Sequence, residues 1–173
     1  MTEADKNRLE KLRWESERKR KQIQLNEKLK QFLDVHHFDF LTFEESDNIQ
    51  LSCDPWPDNK WSDLLLFQAT FQDKIEIQKI VDRYADSNKS DHVFVFFMNF
   101  NFGLVRFSNS TLKMHWEDFI ELDNDKIFCY RPNERSFICI EKTEDIIVGN
   151  KESNRQWIYE ITFSNQNIKD DLT

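Results

Sequence analysis

The sequence predicts an α+β fold: a mostly antiparallel sheet with two packed helices, preceded by a long N-terminal helical arm. Three observations lead there. Residues from Thr2 to about Asp34 contain neither Gly nor Pro and are dense in Lys, Arg, Glu, Gln and Leu, all good helix formers. Two later stretches carry apolar residues at helical spacing, and each opens on a residue of the capping type. The last third is a succession of apolar runs divided by polar turns, which reads as a strand meander rather than the strand–helix alternation of a parallel sheet.

Taken in order, the arm comes first. Leu9, Leu12, Ile23, Leu29 and Leu33 are expected near one face, but Ser16, Lys19 and Asn26 interrupt the heptad, so the expectation is a solvated helix whose last turns, Leu25 to Leu33, pack on the body. The cluster His36-His37-Phe38-Asp39-Phe40 follows and is expected to dock the arm. Glu44 to Asp63 reads as polar and turn-rich, with Asp54-Pro55-Trp56-Pro57-Asp58-Asn59 as a loop, because each Pro biases its predecessor away from helix. Leu64 to Phe71 reads as a buried strand. Asp73 then caps a helix carrying Ile75, Ile77, Ile80, Val81 and Tyr84, which ends near Asp86.

His92 to Met98 is almost continuously apolar, as a strand buried on both faces should be, and is expected at the centre of the sheet. Asn99 to Phe102 turn into a short strand, Leu104 to Phe107. Ser108 or Ser110 caps a second helix through Leu112, Trp116, Phe119 and Ile120. Strands are expected at Lys126 to Tyr130, Ser136 to Lys142, Ile146 to Gly149 and Gln156 to Phe163, the first two joined by the turn Arg131-Pro132-Asn133-Glu134. The organisation is therefore an arm over 1–34, an α+β domain over 35–165 and a polar tail over 166–173.

Charge divides the chain along the same line. From Met1 to Phe32 ten basic residues stand against six acidic ones, a net of +4, while the whole chain carries −8, leaving −12 for the remainder. An acidic body repels nucleic acid and suits a basic partner. The run Arg18-Lys19-Arg20-Lys21 spreads round a helix axis beside Glu15 and Glu17, so it forms no phosphate-facing stripe, and no nucleic-acid role is expected. Sixteen Phe and five Trp exclude a disordered body. There are only two glycines, Gly103 and Gly149, which removes the glycine-rich phosphate loops of nucleotide-binding folds, and no cofactor is expected.

The three cysteines, Cys53, Cys129 and Cys139, sit singly, without a C-x-x-C pair. Cys129 and Cys139 fall inside apolar runs, as buried free thiols in a reducing compartment do. The N-terminus is charged where a signal peptide needs an apolar segment, and no apolar run reaches membrane-spanning length. A cytoplasmic protein without a membrane association is expected.

For chemistry, adjacent His36 and His37 point in different directions on either a helix or a strand, so they do not converge on one ion, and no metal is expected. Nucleophilic elbows of the G-x-S-x-G kind are absent. Acidic pairs such as Glu44-Glu45, Glu117-Asp118 and Glu144-Asp145 are what a surface this acidic carries without catalysis. The expectation is a non-enzymatic protein that binds another protein. Asp54, Trp56, Asp58 and Trp61 around the proline loop, with Trp116, Glu117 and Asp118 on the second helix, are the expected contact patch, because Trp anchors dominate interfaces and carboxylates steer basic partners. Asp63, Glu121, Asp123 and Asp125 add to its charge. Two alternatives belong to other classes: a hydrolase with an unrecognised acidic site, and an adaptor that oligomerises through the N-terminal helix.

The second half also resembles small bacterial immunity proteins of contact-dependent-inhibition and polymorphic toxin systems. The resemblance spans about residues 62–163. It is carried by His92-Val93-Phe94-Val95-Phe96-Phe97, Phe102-Gly103-Leu104-Val105, the Trp116-Glu117-Asp118-Phe119 helix, Phe137-Ile138-Cys139-Ile140 and Ile146-Ile147-Val148-Gly149. Phe137, Cys139 and Lys142 stand where such proteins often carry a Trp, a Glu and a His, so the resemblance assigns no contacts on that strand. It implies an inhibitor that occludes the surface of a cognate toxin, with a basic nuclease domain as the fitting partner.

Overall fold

Each element follows from a local signal that its surroundings then complete. In the computed structural model the described residues are 3–34, 37–53, 67–86, 90–100, 102–134, 136–147 and 154–164. The Gly- and Pro-free stretch forms α1 (Glu3–Leu29), of 27 residues. A short β1 (Phe38–Phe40) leads into α2 (Phe43–Cys53), opened by a reciprocal capping box. The Glu45 amide donates to Thr42 Oγ1 (3.2 Å) and the Thr42 amide donates to Glu45 Oε2 (3.0 Å). This helix corrects the turn-rich reading of residues 44–53. After β2 (Phe67–Phe71), α3 (Lys74–Asp86) starts where Asp73 Oδ1 accepts from the Ile75 amide (2.8 Å). Then come β3 (His92–Phe96), β4 (Leu104–Ser108) and α4 (Asn109–Leu122), whose cap is Ser108, accepting from the Thr111 amide at 3.1 Å.

The chain closes with β5 (Lys126–Arg131), a 3-10 turn at Pro132–Glu134, β6 (Ser136–Ile147) and β7 (Asn154–Ser164). The two strands expected over Ser136–Lys142 and Ile146–Gly149 are one strand as far as Ile147; residues 148 and 149 lie outside the described residues. Pairing with β7 runs unbroken through Lys142↔Tyr159, Thr143↔Ile158 and Glu144↔Trp157, which holds the polar middle of β6 extended. The last strand begins earlier than expected, at Asn154. Of the expected strand over Leu64–Phe71, Phe67–Phe71 is β2, and residues 64–66 lie outside the described residues.

The sheet has seven strands in the order β1-β4-β3-β5-β6-β7-β2, and every pairing is antiparallel. The fold is α+β, as the segregated helices require. β3 is third in this order and β5 is the middle strand, so the apolar run His92–Met98 marks burial on two faces and not the exact centre. Val93, Val95, Val105, Phe107, Ile127, Cys129, Ile138, Ile140 and Ile161 belong to the main core, together with Leu25 and Leu29 of α1, Ile77 and Ile80 of α3, and Trp116 and Phe119 of α4. Residues alternating with these, Leu104, Phe128, Tyr130, Phe137 and Cys139, form a second core on the opposite face with Ile49 of α2 and Leu41. Two cores on one sheet explain why its strands read as continuous apolar runs.

Polar groups tie the layers together. Arg131, buried at the end of β5, lies over the Tyr84 ring (4.6 Å) and donates to the carbonyls of Tyr84 and Ala85, capping the end of α3. It also donates to Asn109 Oδ1 (2.6 Å) at the start of α4. At the other end of α4, buried Asp123 accepts from the amides of Met98 (2.7 Å) and Asn99 (2.8 Å), holding the turn after β3. Asn124 and Asp125 then reverse the chain with φ of 54° and 69°.

Candidate interaction surfaces

The expected patch divides once its residues are placed. Asp54, Trp56, Asp58, Trp61 and Asp63 lie outside the described residues. Trp116 is corrected from surface anchor to core residue: it is 2% exposed, its Nε1 donates to Gln78 Oε1 (2.7 Å), and its ring meets Tyr159 edge-on at 5.8 Å. The stripe Leu112, Trp116, Phe119 and Ile120 already contained this answer, since a residue in phase with three core positions turns inward with them. Asp123 is likewise inside, and burial pushes its carboxyl up to about 6.

Glu117 and Asp118 remain partly exposed on α4. Glu117 meets Lys74 across the α3–α4 seam, and Asp118 Oδ2 meets His115 Nδ1 at 2.8 Å. A second bridge, Lys113 to Asp86 (2.5 Å), joins the same helices further along. Such exposed pairs contribute little stability, but they set where charge sits. Over residues 73–86 and 109–125, eight at least partly exposed carboxylates stand against four Lys and Arg, a net of −4. The packed pair α3–α4 is thus an acidic surface on a rigid base, with Asp82, Asp118 and Glu121 among its carboxylates.

The arm presents the opposite character. Its expected single apolar face is really two. Leu25 and Leu29 are fully buried against the body, whereas Leu9, Leu12 and Ile23 are 44%, 52% and 52% exposed. Helical spacing places these two groups on different sides of α1. Arg18, one of the four consecutive basic residues, belongs to the inner side. Its two terminal nitrogens pair with both oxygens of Asp47 (2.8 Å each), its Nε donates to the Phe102 carbonyl (2.5 Å), and its guanidinium lies 4.4 Å over the Phe43 ring.

Gly103 lets these groups close up. A Cβ there would stand 2.7 Å from Ser46 Oγ, and its φ is +151°. Ser46 Oγ in turn accepts the Leu104 amide (3.0 Å). Residue-by-residue reading missed this lock. Its signals were the capping box at Thr42–Glu45 and a lone glycine amid strand residues.

Two open crevices flank His92. One, of about 240 Å³, is lined by His37, Asp39, Asp91, His92, Arg106 and Ser108, and within it Arg106 bridges Asp39 at 2.7 Å. The other, of about 390 Å³, runs between α2, β3 and the 3-10 turn, beside Ile49, His92, Phe94 and Pro132. Among the described residues no group of three His, Cys, Asp or Glu side chains is placed to hold a metal ion. His36 lies outside them. Burial pushes the Cys129 thiol far up and the Cys139 thiol up to about 11, so both stay protonated at neutral pH and lack the thiolate that nucleophilic chemistry needs. Among the described residues no helix is long and apolar enough to cross a membrane. Neither a family model nor a curated protein matches this chain.

Proposed function

We propose that this chain is a non-catalytic, cytoplasmic protein-binding protein, an immunity-type inhibitor that neutralises a basic toxin domain, such as a nuclease, by covering its surface. The observation that carries the reading is the acidic outer face of the α3–α4 pair, where Glu117, Asp118 and Glu121 sit on helices already fixed to each other and to the core. A negative surface on a rigid base attracts a positive partner over roughly a Debye length, about 8 Å at physiological salt, and loses little freedom when contact forms. The −12 of the chain beyond Phe32 extends that attraction beyond the patch itself. In this reading Trp56 and Trp61, with Asp54 and Asp58, provide the aromatic anchoring that buried Trp116 does not offer. The resemblance to immunity proteins over the second half points to the same class of partner.

The test is capture with the full chain from its native host, followed by co-expression. The expected result is one basic protein whose toxicity is relieved by this chain at one-to-one stoichiometry. Reversing Glu117, Asp118 and Glu121 to Lys should weaken binding by about tenfold at low salt, with a smaller difference at high salt. Trp116 is left intact, because removing it opens the core. An uncharged or acidic partner, or an affinity indifferent to the three reversals, sinks the steering role. Turnover of a substrate by the purified chain sinks the non-catalytic reading.

A further inference from the structure

We propose that α1 pairs antiparallel with α1 of a second copy of this chain, through the side it turns away from the body. This rests on the arm alone and stands apart from the immunity reading. Leu9, Leu12, Ser16, Lys19, Ile23 and Asn26 follow one another at intervals of three and four residues, the spacing of a two-helix seam. All but the partly buried Asn26 are exposed, and the three apolar ones are about half exposed. The body occupies the other side, through Arg18, Leu25 and Leu29. The stripe is therefore open along a helix about 40 Å long. Residues 5–16 are exposed all round, and this half of α1 projects beyond the turns that dock on the body.

Charge selects the occupant and its direction. Residues 3–17 carry five acids against four bases, a net of −1, whereas residues 18–30 carry six bases against one acid, a net of +5. A parallel pair would lay +5 along +5. An antiparallel pair lays the slightly negative projecting half of each helix along the positive docked half of the other.

Seam spacing then fixes the register, with the two-fold axis between residues 17 and 18. Leu12 meets Ile23 of the second copy, Leu9 meets its Asn26, and Ser16 meets its Lys19. Arg13 approaches Arg20 of the second copy, whose charge is already held by Glu17 at 2.6 Å. Among the described residues, the body packs on the side of α1 that carries Arg18, Leu25 and Leu29, away from this seam. The polar middle of the seam keeps the pair weak and ties it to this one register.

The experiment is sedimentation of the full chain across a wide concentration range, combined with cysteine cross-linking. Monomer should convert to dimer as concentration rises. Leu12→Glu with Ile23→Glu should weaken dimerisation by about tenfold or more, with the melting of the body unchanged. A short bismaleimide should couple Ser16→Cys to its copy, whereas Lys30→Cys should remain uncoupled, because the antiparallel register separates the two positions 30 by most of a helix length. Cys129 and Cys139 are buried, and the unsubstituted chain measures any background. A monomer at every concentration, or efficient coupling at Lys30→Cys, overturns the proposal.

Discussion

One carbon added at position 103 would have to displace the Ser46 hydroxyl from 2.7 Å and its Cβ from 2.9 Å, in a backbone conformation that L side chains rarely adopt. Gly103→Ala should therefore cost about 1–3 kcal/mol in urea unfolding. Adding Ser46→Ala should recover only part of that, since the Cβ clash persists. Asp123 makes a prediction of a different kind. Burial raises its folded pKa to about 6 from an ordinary 3.8, so the native state takes up a proton before the unfolded chain does. Its contribution is fully present below about pH 4 and is lost as pH rises through 6. Glu45 works the other way: its hydrogen bonds to Thr42 hold its carboxyl below the usual range, giving stability that is lost in acid. The clean measurement is thus a difference. Relative to Asp123→Asn, the native chain should gain on the order of 2 kcal/mol between pH 7 and pH 4, and a flat difference would remove the assignment.

At the scale of elements, α2 shows what the sequence carried and what was overlooked. Thr42-Phe43-Glu44-Glu45 is a complete capping box, yet the stretch after it is polar, with few apolar residues to mark a helical face, so its period was faint. Thr42→Ala should cost about 1 kcal/mol in the same unfolding assay, because it removes the hydroxyl that accepts from the Glu45 amide and donates to Glu45 Oε2. α3, α4 and β3 to β5 were legible because each buries a stripe that its own residues announce. The continuity of β6 was not, since the partners that keep Glu141 to Asp145 extended are on β7 and not nearby in sequence. The arm misled in one respect. Leu9, Leu12, Ile23, Leu29 and Leu33 are expected near one face, whereas their angles about the axis separate Leu9, Leu12 and Ile23 from Leu29. The contact patch was the least legible part: the three residues placed by α4 split into one core ring and two surface carboxylates.

Across the whole molecule, charge and topology act on different things. In the proposed binding role the negative charge steers encounter, an effect that should fade with salt, while the cores on the two faces of the sheet hold the shape presented to the partner. The order β1-β4-β3-β5-β6-β7-β2 has a further consequence, for the time course of synthesis. β2 is made before α3, yet its ladder partner is β7, so residue 67 waits for residue 163. Until that last strand leaves the ribosome, β2 and the far side of β6 are open edges, while α3, α4 and β3 to β5 can already assemble around the main core. The nascent chain is thus half closed from the completion of β5 at Arg131 until β7 emerges, and β7 then joins the two loose edges in one step.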